Sequence, residues 1–356
     1  MIDGDAVVYC AGAFLTTFGK TAHGLVRFTE RYRVRAVIDP DCAGRDAGAV
    51  LDGRATGIPI VADLAAALQA AGGTNGPQPC YFVIGIAPDG GAVTPAMRAA
   101  VREALEAGLS VDSGLHEFFS DDIELAGLAR QRGATIRDVR KTPPRSELHS
   151  FTGGIETVEA VRVAVLGTDS AIGKRTTAWI LAHALQHAGF ATQMIGTGQT
   201  AWMQGARYGT ILDSLINDFV AGEIEHAVVT AWENEHPRVL VLEGQGSLMN
   251  PAYPGGFELL AAGRPHAVIL QHAPARLEYD GFPGYPIQPL PVQIQAIELI
   301  SGRPVVAVTV NHEGLDAAET DAACHAITEQ TGLPACDPIR HGVDAVVETL
   351  QERYLR

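Results

Sequence analysis

The stretch VRVAVLGTDSAIGKRTT, from Val161 to Thr177, decides how the second half of this chain folds. An apolar run typical of a buried strand ends at Gly167, and the helical pattern AWILAHALQHAG follows the stretch directly. The loop between them begins and ends with glycine, so its backbone N–H groups can converge on an anion at the positive end of a helix. Lys174 adds a full positive charge there. The order of strand, loop and helix therefore predicts a phosphate-binding loop.

The predicted loop departs from the usual pattern G-x-x-x-x-G-K-[ST]. Five residues separate Gly167 from Gly173, and Arg175 stands where the magnesium-binding hydroxyl is expected, a role that Thr176 or Thr177 could take instead. An ordinary glycine-rich turn is the alternative interpretation. The residues that we expect to bind a phosphate-bearing cofactor are Gly167, Thr168, Asp169, Ser170, Ala171, Ile172, Gly173, Lys174, Arg175, Thr176 and Thr177.

A second buried strand within VLVLEGQGSL ends in a carboxylate, Glu243. Ligands of open α/β sheets bind beyond the carboxyl ends of the strands, where this carboxylate would emerge. If the cofactor is ATP, Glu243 and Thr176 are the expected magnesium ligands. Alternatively, Glu243 only caps the following turn. Gln245 and Ser247 lie in the same loop and are expected to contact substrate.

Further candidates follow other predicted strands. Gln199 and Thr200 in GTGQT are expected at the sheet edge that carries the phosphate loop, with a plain loop as the alternative. Arg207 and Arg276 each offer a bidentate fork to a substrate carboxylate, or else a surface ion pair. His272 follows an apolar strand and could act as a general base, or be a structural histidine. The predicted catalytic residues are Lys174, Glu243 and His272.

The rest of the chain alternates apolar strand-like runs with helical patterns, which indicates βαβ units and parallel sheets. A stretch rich in proline, glycine and charge between Thr142 and Glu159 is the predicted linker. We therefore expect an α/β protein with an N-terminal Rossmann-like domain, residues 1–145, and a C-terminal P-loop NTPase-like domain with a parallel sheet, residues 146–356. The first strand is not followed by G-x-G-x-x-G, so no NAD site is expected there.

Composition limits the classes of function. The 356 residues suit two domains, and 47% of them are hydrophobic, yet no run of eighteen apolar residues occurs. We expect a cytoplasmic protein with no membrane partner. The net charge of -15 argues against nucleic acid as a partner. A small molecule is the expected substrate, and a homo-oligomer the expected assembly. The cysteines lack C-x-x-C spacing and are predicted to be buried free thiols.

Several motifs carry a resemblance to known families. The phosphate loop GTDSAIGK, followed later by LEGQGSL, resembles that of dethiobiotin synthetase and its relatives. A wider set of motifs is similar to a family long described as a conserved domain of unknown function, whose described members are D-glutamate N-acetyltransferases. These motifs are GKTAHGLVRF at Gly19, VDSGLHEFFSDD at Val111, the phosphate loop, GTGQT at Gly196, EGQGSLMNPAYPGG at Glu243 and LQHAPARLEYDGFPGYPI at Leu270.

The resemblance implies acetyl-CoA as cofactor and an acidic D-amino acid as substrate, with transfer of an acetyl group to its amine. The phosphate loop by itself fits Mg-ATP better, which would indicate a ligase or kinase that acts on a carboxylate-bearing small molecule. A non-catalytic nucleotide-binding regulator is a third hypothesis. We expect an N-acyltransferase, and the ATP-dependent enzyme is the alternative.

Overall fold

A computed structural model describes residues 2–72 and 79–356 and divides them into two compact units. The first unit consists of Met1–Pro143 together with Gln199–Ala206, and the second of Pro144–Gly198 together with Arg207–Arg356. Nothing in the sequence had indicated that Gln199–Ala206, which lies within the predicted P-loop domain, belongs to the first unit.

The first unit is built on a parallel sheet with the strand order β3-β2-β1-β4-β5-β6. This order is the one found in dinucleotide-binding folds and is therefore Rossmann-like. The strands are β1 (Gly4–Tyr9), β2 (Tyr32–Ile38), β3 (Ile60–Val61), β4 (Tyr81–Ile84), β5 (Ser110–Ser113) and β6 (Ile136–Asp138). The helices are α1 (Lys20–Arg27), α2 (Ala47–Asp52), α3 (Leu64–Gly72), α4 (Pro95–Glu106) and α5 (Ile123–Arg132).

The second unit contains a parallel sheet with the strand order β13-β12-β11-β7-β10-β8-β9. Its strands are β7 (Val161–Gly167), β8 (Thr192–Gly196), β9 (Tyr208–Gly209), β10 (Val239–Glu243), β11 (Ala267–His272), β12 (Val305–Val310) and β13 (Ala335–Cys336). The helices in this part of the sequence are α6 (Lys174–His187), α7 (Gln199–Gln204), α8 (Asn217–Glu235), α9 (Phe257–Ala262), α10 (Leu290–Ser301), α11 (Ala317–Thr331) and α12 (Asp344–Tyr354). The two parallel sheets confirm the predicted α/β class.

The central strands of the second sheet are apolar along most of their length because both faces are covered. Residues from Val163 to Leu166 in β7 and from Leu240 to Leu242 in β10 are buried, as are Val268 to Leu270 in β11. Parallel strands that are buried on both faces form such continuous apolar runs rather than alternating patterns. The predicted strands at these positions are therefore confirmed.

Helix α7 packs within the first unit, although its neighbours in the sequence belong to the second. The hydroxyls of Thr200 and Thr21 lie 2.9 Å apart, and the side-chain amide of Gln204 donates to the carbonyl of Gly24 at 2.8 Å. The Arg31 guanidinium lies over the Trp202 ring, 3.8 Å from its centre. These contacts, made largely with α1, fix α7 in the first unit.

No helix in residues 2–72 and 79–356 combines the length and the apolar character needed to cross a bilayer. Four of the cysteines, Cys10, Cys42, Cys324 and Cys336, are buried free thiols as predicted, whereas Cys80 is exposed. Cys80 directly precedes β4, at the point where the chain enters the sheet. The sequence DLAAALQAAGG from Asp63 predicts a helix that ends at glycine; this helix is α3, and Gly73 lies outside the described residues.

The buried carboxylate of Glu225 on α8 holds the segment that opens the second unit. Its Oε2 accepts hydrogen bonds from the backbone N–H and the hydroxyl of Thr152, at 2.6 and 2.9 Å. Its Oε1 accepts from the N–H of Ile155 at 3.1 Å. Because these donors approach both oxygens, the site requires a group that only accepts hydrogen bonds.

We expect Glu225→Gln to lower the free energy of unfolding by about 1–3 kcal/mol, because the amide N–H₂ would face donors and leave one of them unsatisfied. Denaturant unfolding measures the change. Glu233→Gln, at an exposed position on the same helix, is the matched control and should change stability little. Equal stability of the two variants would show that Glu225 does not hold this segment.

Candidate active site

The second sheet brings several polar loops to one edge. Strand β7 lies between β11 and β10, and β11 pairs in turn with β12, all of them parallel. The loops that follow these strands therefore emerge at the same carboxyl edge. The loop after β7 is the predicted phosphate loop, and the residues that surround it come from the loops after β10, β11 and β12.

The phosphate loop has the backbone shape that an anion site needs. Gly173 has a φ of 100° and Ala171 a φ of 51°, so the chain turns twice through left-handed conformations before α6 begins at Lys174. Gly173 is the N-cap and has no side chain to accept from the N–H groups of the first turn. A Cβ at Gly167 would lie 2.8 Å from Cδ of Lys174, so this glycine leaves room for the lysine chain. The positive end of the helix dipole at the first turn of α6 is a favourable place for an anion.

Lys174 is buried and folds back over the loop. Its ammonium donates to the backbone carbonyl of Asp169 at 2.6 Å. The lysine therefore lies at the start of α6 and against the loop itself, and its catalytic and phosphate-binding role stays a prediction.

The carboxylate of Asp169 is fully buried, with 0% of the residue exposed, and organises the loop. Its Oδ1 accepts hydrogen bonds from the N–H of Ser170 at 2.7 Å and from the side-chain amide of Asn250 at 2.8 Å. Its Oδ2 accepts from the Arg276 guanidinium and from the N–H of Asp280, both at 2.9 Å. Asn250 belongs to the loop after β10, and Arg276 and Asp280 to the segment after β11. Asp169 therefore holds the loops together.

Arg276 lies beside the phosphate loop, but its guanidinium N–H groups already donate to groups of the protein. Besides Asp169, the guanidinium donates to the carbonyl of Ser170 at 2.9 Å and to the Glu313 carboxylate at 2.5 Å. The expected clamp on a substrate carboxylate is therefore replaced by a clamp on the protein's own loop. The sequence could not show this, because the guanidinium chemistry is the same in both cases.

Glu243 is buried at the tip of β10, next to β7. Its Oε2 accepts from the N–H of Thr197 at 2.8 Å, and the Thr197 hydroxyl donates to the Glu243 carbonyl at 3.1 Å. Gln245 donates to the same hydroxyl at 3.0 Å. Burial raises the pKa of Glu243, and the charges of Arg175 and Lys174 oppose part of that shift. The carboxylate thus faces the positive start of α6, as the strand pattern predicted.

Polar residues beneath the loop form a network that sequence reasoning missed. Gln271 accepts from the hydroxyls of Thr177 and Thr309, at 2.5 and 2.6 Å. Asn311 donates to the carbonyl of Ile172 at 2.9 Å. The Thr177 hydroxyl therefore points towards β11, where it helps to hold the loop. The sequence did contain a signal for this network, because a polar residue stands at the end of each apolar strand, as in AVILQH and VVAVTVN.

His272 ends β11 beside the loop. Its Nδ1 and the Thr168 hydroxyl lie 3.0 Å apart. Burial lowers the pKa of His272 to about 4, so the ring is neutral at physiological pH. A group with so low a pKa is a weak proton acceptor, which disfavours the predicted role of general base.

The other predicted residues are distributed differently. Ser247 is buried in the loop after β10, and its N–H donates to the carbonyl of Tyr253 at 3.2 Å. Gln199 and Thr200 begin α7, which belongs to the first unit, and the Thr200 hydroxyl contacts that of Thr21. Their expected position beside the phosphate loop stays a prediction. The sequence does not distinguish polar residues that pack a helix against its neighbours from polar residues that bind a ligand.

Arg207 is paired with a carboxylate of the protein. Its guanidinium donates to Glu235 at 2.6 Å. Glu235 is the last residue of α8 and comes shortly before β10 begins at Val239. Arg207 therefore makes the surface ion pair that was the alternative interpretation, with 59% of its side chain exposed. Within the described residues, no group of three or more His, Cys, Asp or Glu side chains could hold a metal ion.

Comparisons with known proteins agree with this architecture. A family model described as "Domain of unknown function (DUF1611_N) Rossmann-like domain" matches residues 40–142, and "Domain of unknown function (DUF1611_C) P-loop domain" matches residues 149–347. A crystal structure of a DUF1611 family protein from Anabaena variabilis ATCC 29413 has a TM-score of 0.89 and 32% identity, and covers 98% of this chain and 99% of that one.

Two curated relatives carry the name D-glutamate N-acetyltransferase. The protein from Tritonibacter scottomollicae is 32% identical over 275 residues, and the one from Pseudoalteromonas sp is 29% identical over 276 residues. Each match covers 76% of this chain and 80% of the relative. The chain belongs to the DUF1611 family, with that family's Rossmann-like domain in its first half and its P-loop domain in its second.

Proposed function

We propose that this protein transfers an acetyl group from acetyl-CoA to the amine of an acidic amino acid such as D-glutamate. The observation that carries the proposal is the phosphate loop in a chain whose curated relatives are named D-glutamate N-acetyltransferase. Acetyl-CoA is a phosphate-bearing acetyl donor, so a single ligand accounts for both the loop and the named activity.

The residues of the loop fit the phosphates of CoA. The N–H groups at the start of α6 and the ammonium of Lys174 supply donors and positive charge, and Gly173 allows a close approach of the backbone. Lys174 at present donates to the Asp169 carbonyl, a contact that it can exchange for a phosphate oxygen. CoA supplies an activated thioester, so the protein's contribution is to position the two substrates and to accept a proton.

In the reaction, the amine nitrogen attacks the carbonyl carbon of the thioester, a C–N bond forms and the C–S bond breaks. The attacking nitrogen must first lose a proton, because an ammonium has no lone pair. The negative charge that develops on the carbonyl oxygen is stabilised by hydrogen-bond donors, for which backbone N–H groups and Lys174 are candidates. No step of this scheme uses ATP.

One observation favours a second candidate, an ATP-dependent ligase or kinase. Glu243 ends the strand next to the phosphate loop, where an acidic residue commonly holds magnesium. Burial raises the pKa of the Glu243 carboxyl, whereas the N–H of Thr197 and the charges of Arg175 and Lys174 oppose that shift. We keep acetyl transfer as the proposal because the curated relatives carry the name of that activity.

One prediction separates acetyl transfer from the ATP-dependent activity by their different need for a metal ion. We expect acetylation of D-glutamate by acetyl-CoA to continue in excess EDTA without ATP, because the acetyl group is already activated. Release of free CoA thiol and mass spectrometry of the amino acid measure it, with L-glutamate and D-alanine as comparison substrates. Product that appears only with ATP and magnesium would contradict the proposal.

A second prediction concerns Lys174. Its replacement by alanine removes a charge from the loop, so the binding of CoA should weaken by about 1.5–3 kcal/mol, the range of a lost charge-assisted hydrogen bond. Isothermal calorimetry with CoA measures the loss, and circular dichroism checks the fold. Lys141→Ala removes a half-exposed lysine of the first unit and is the matched control. Unchanged CoA affinity in Lys174→Ala would mean that the loop does not bind the phosphates.

A third prediction follows from the fork of Arg276. Arg276→Lys keeps the charge but cannot contact Asp169, Ser170 and Glu313 together, so the loop should lose its fixed shape. We expect a several-fold higher KM for acetyl-CoA and little change in KM for the amino acid. Arg207→Lys, whose guanidinium pairs with Glu235 on α8, should change neither. A selective rise in KM for the amino acid would instead make Arg276 a substrate contact.

A further inference from the structure

The loops after β12 and β13 hold a histidine and an aspartate in contact. Nδ1 of His312 lies 2.5 Å from Oδ2 of Asp337. Only 1% of Asp337 is exposed, and its Oδ1 accepts from the N–H groups of Ile339 and Arg340, at 2.8 and 3.2 Å. These backbone N–H donors hold the Asp337 carboxylate in a fixed orientation. It therefore fixes the ring of His312 with Nδ1 as the donor.

This pair belongs to the same edge as the phosphate loop. The residue before His312, Asn311, donates to the carbonyl of Ile172 in that loop at 2.9 Å. The residue after it, Glu313, contacts Arg276 at 2.5 Å. His312 thus lies between two residues that contact the loop or the arginine clamped on it. Its side chain is 30% exposed, and since Nδ1 is used by Asp337, Nε2 is the nitrogen that can meet a ligand.

The other candidate bases lack these properties. His272 is paired with the Thr168 hydroxyl rather than with a carboxylate, and burial lowers its pKa to about 4. Glu243 is buried and accepts the N–H of Thr197. An imidazole that combines a carboxylate on Nδ1 with an accessible Nε2 is the usual arrangement of a general base.

We infer that His312, oriented by Asp337, is the general base of the acetyl transfer, an inference that rests on the proposed function. Nε2 of His312 takes one proton from the α-ammonium of the acceptor and later releases it to solvent. The neutral amine then forms the C–N bond as the C–S bond breaks, and the departing sulfur of CoA leaves as a thiol with the second proton. No oxidant, reductant or further reactant is needed.

The charged groups around the pair come from several elements. His341 accepts from the N–H of Asp337 at 3.2 Å through Nδ1, and its Nε2 lies 2.8 Å from the Asp321 carboxylate on α11. Arg340 donates to the Thr320 hydroxyl at 2.8 Å. His341 therefore supports the backbone of Asp337, so its replacement would disturb the pair. The control is His325 on α11, an exposed histidine whose Nε2 lies 3.2 Å from the carboxylate of Glu329.

The test uses His312→Asn in the full-length protein. The asparagine amide can still donate to Asp337 from about the position of Nδ1, but it has no counterpart of Nε2. We expect kcat with acetyl-CoA and D-glutamate to fall about 100- to 10,000-fold, the range for a lost general base, while the melting temperature and CoA affinity stay close to wild type. His325→Asn, at the exposed position on α11, should keep kcat. In His312→Ala, added imidazole should restore part of the rate.

The outcomes separate this inference from the proposed function. If the wild type acetylates D-glutamate and His312→Asn keeps its kcat, His312 only joins the two loops and the inference is wrong. A higher KM for acetyl-CoA with unchanged kcat would make His312 a contact to the donor, which also overturns it. A loss of kcat that imidazole does not restore counts against a proton-transfer role. If the wild type transfers no acetyl group, the proposed function fails and takes the inference with it.

Discussion

The arrangement of the candidate site depends on the buried carboxylate of Asp169. Both of its oxygens accept hydrogen bonds, from the N–H of Ser170, the amide of Asn250, the guanidinium of Arg276 and the N–H of Asp280. These donors lie in loops that follow different strands. A buried carboxylate is tolerated only when it is paired and hydrogen-bonded, so the burial of Asp169 and the convergence of the loops require each other. The shape of the phosphate loop follows from this contact.

Around that contact, the second sheet separates apolar packing from polar chemistry along each strand. The middle of β7, β10, β11 and β12 is apolar and buried, and the polar residues begin at the carboxyl ends. Although the chain carries a net charge of -15, the start of α6 concentrates positive charge through the helix dipole, Lys174 and Arg175. This local positive charge supports our proposal that the start of α6 binds the phosphates of the donor. The proposed donor, acetyl-CoA, and the proposed base, His312, both use this edge.

Local sequence patterns predicted those parts of the site whose partners are close along the chain. The strand β7, the loop from Gly167 to Gly173 and the start of α6 at Lys174 were predicted from their order alone, and Glu243 from the apolar run that ends in it. The side-chain partners were not predictable in this way. Arg276 and Asp169 are 107 residues apart, and a free guanidinium has the same appearance in the sequence as a paired one. For that reason the sequence left a substrate contact and a surface ion pair equally open for Arg207, which pairs with Glu235.

The sequence by itself determined the α/β class, the parallel sheets and the phosphate loop, because these depend on hydrophobic periodicity and on the backbone freedom of glycine, which are properties of short segments. Only the tertiary structure decided that Asp169 and Arg276 hold the loop, that α7 packs in the first unit, and that His312 meets Asp337. These features depend on which strands are neighbours in the sheet. The strand order places β12 beside β13 and β11 beside β7. No local pattern in the sequence predicts which strands become neighbours.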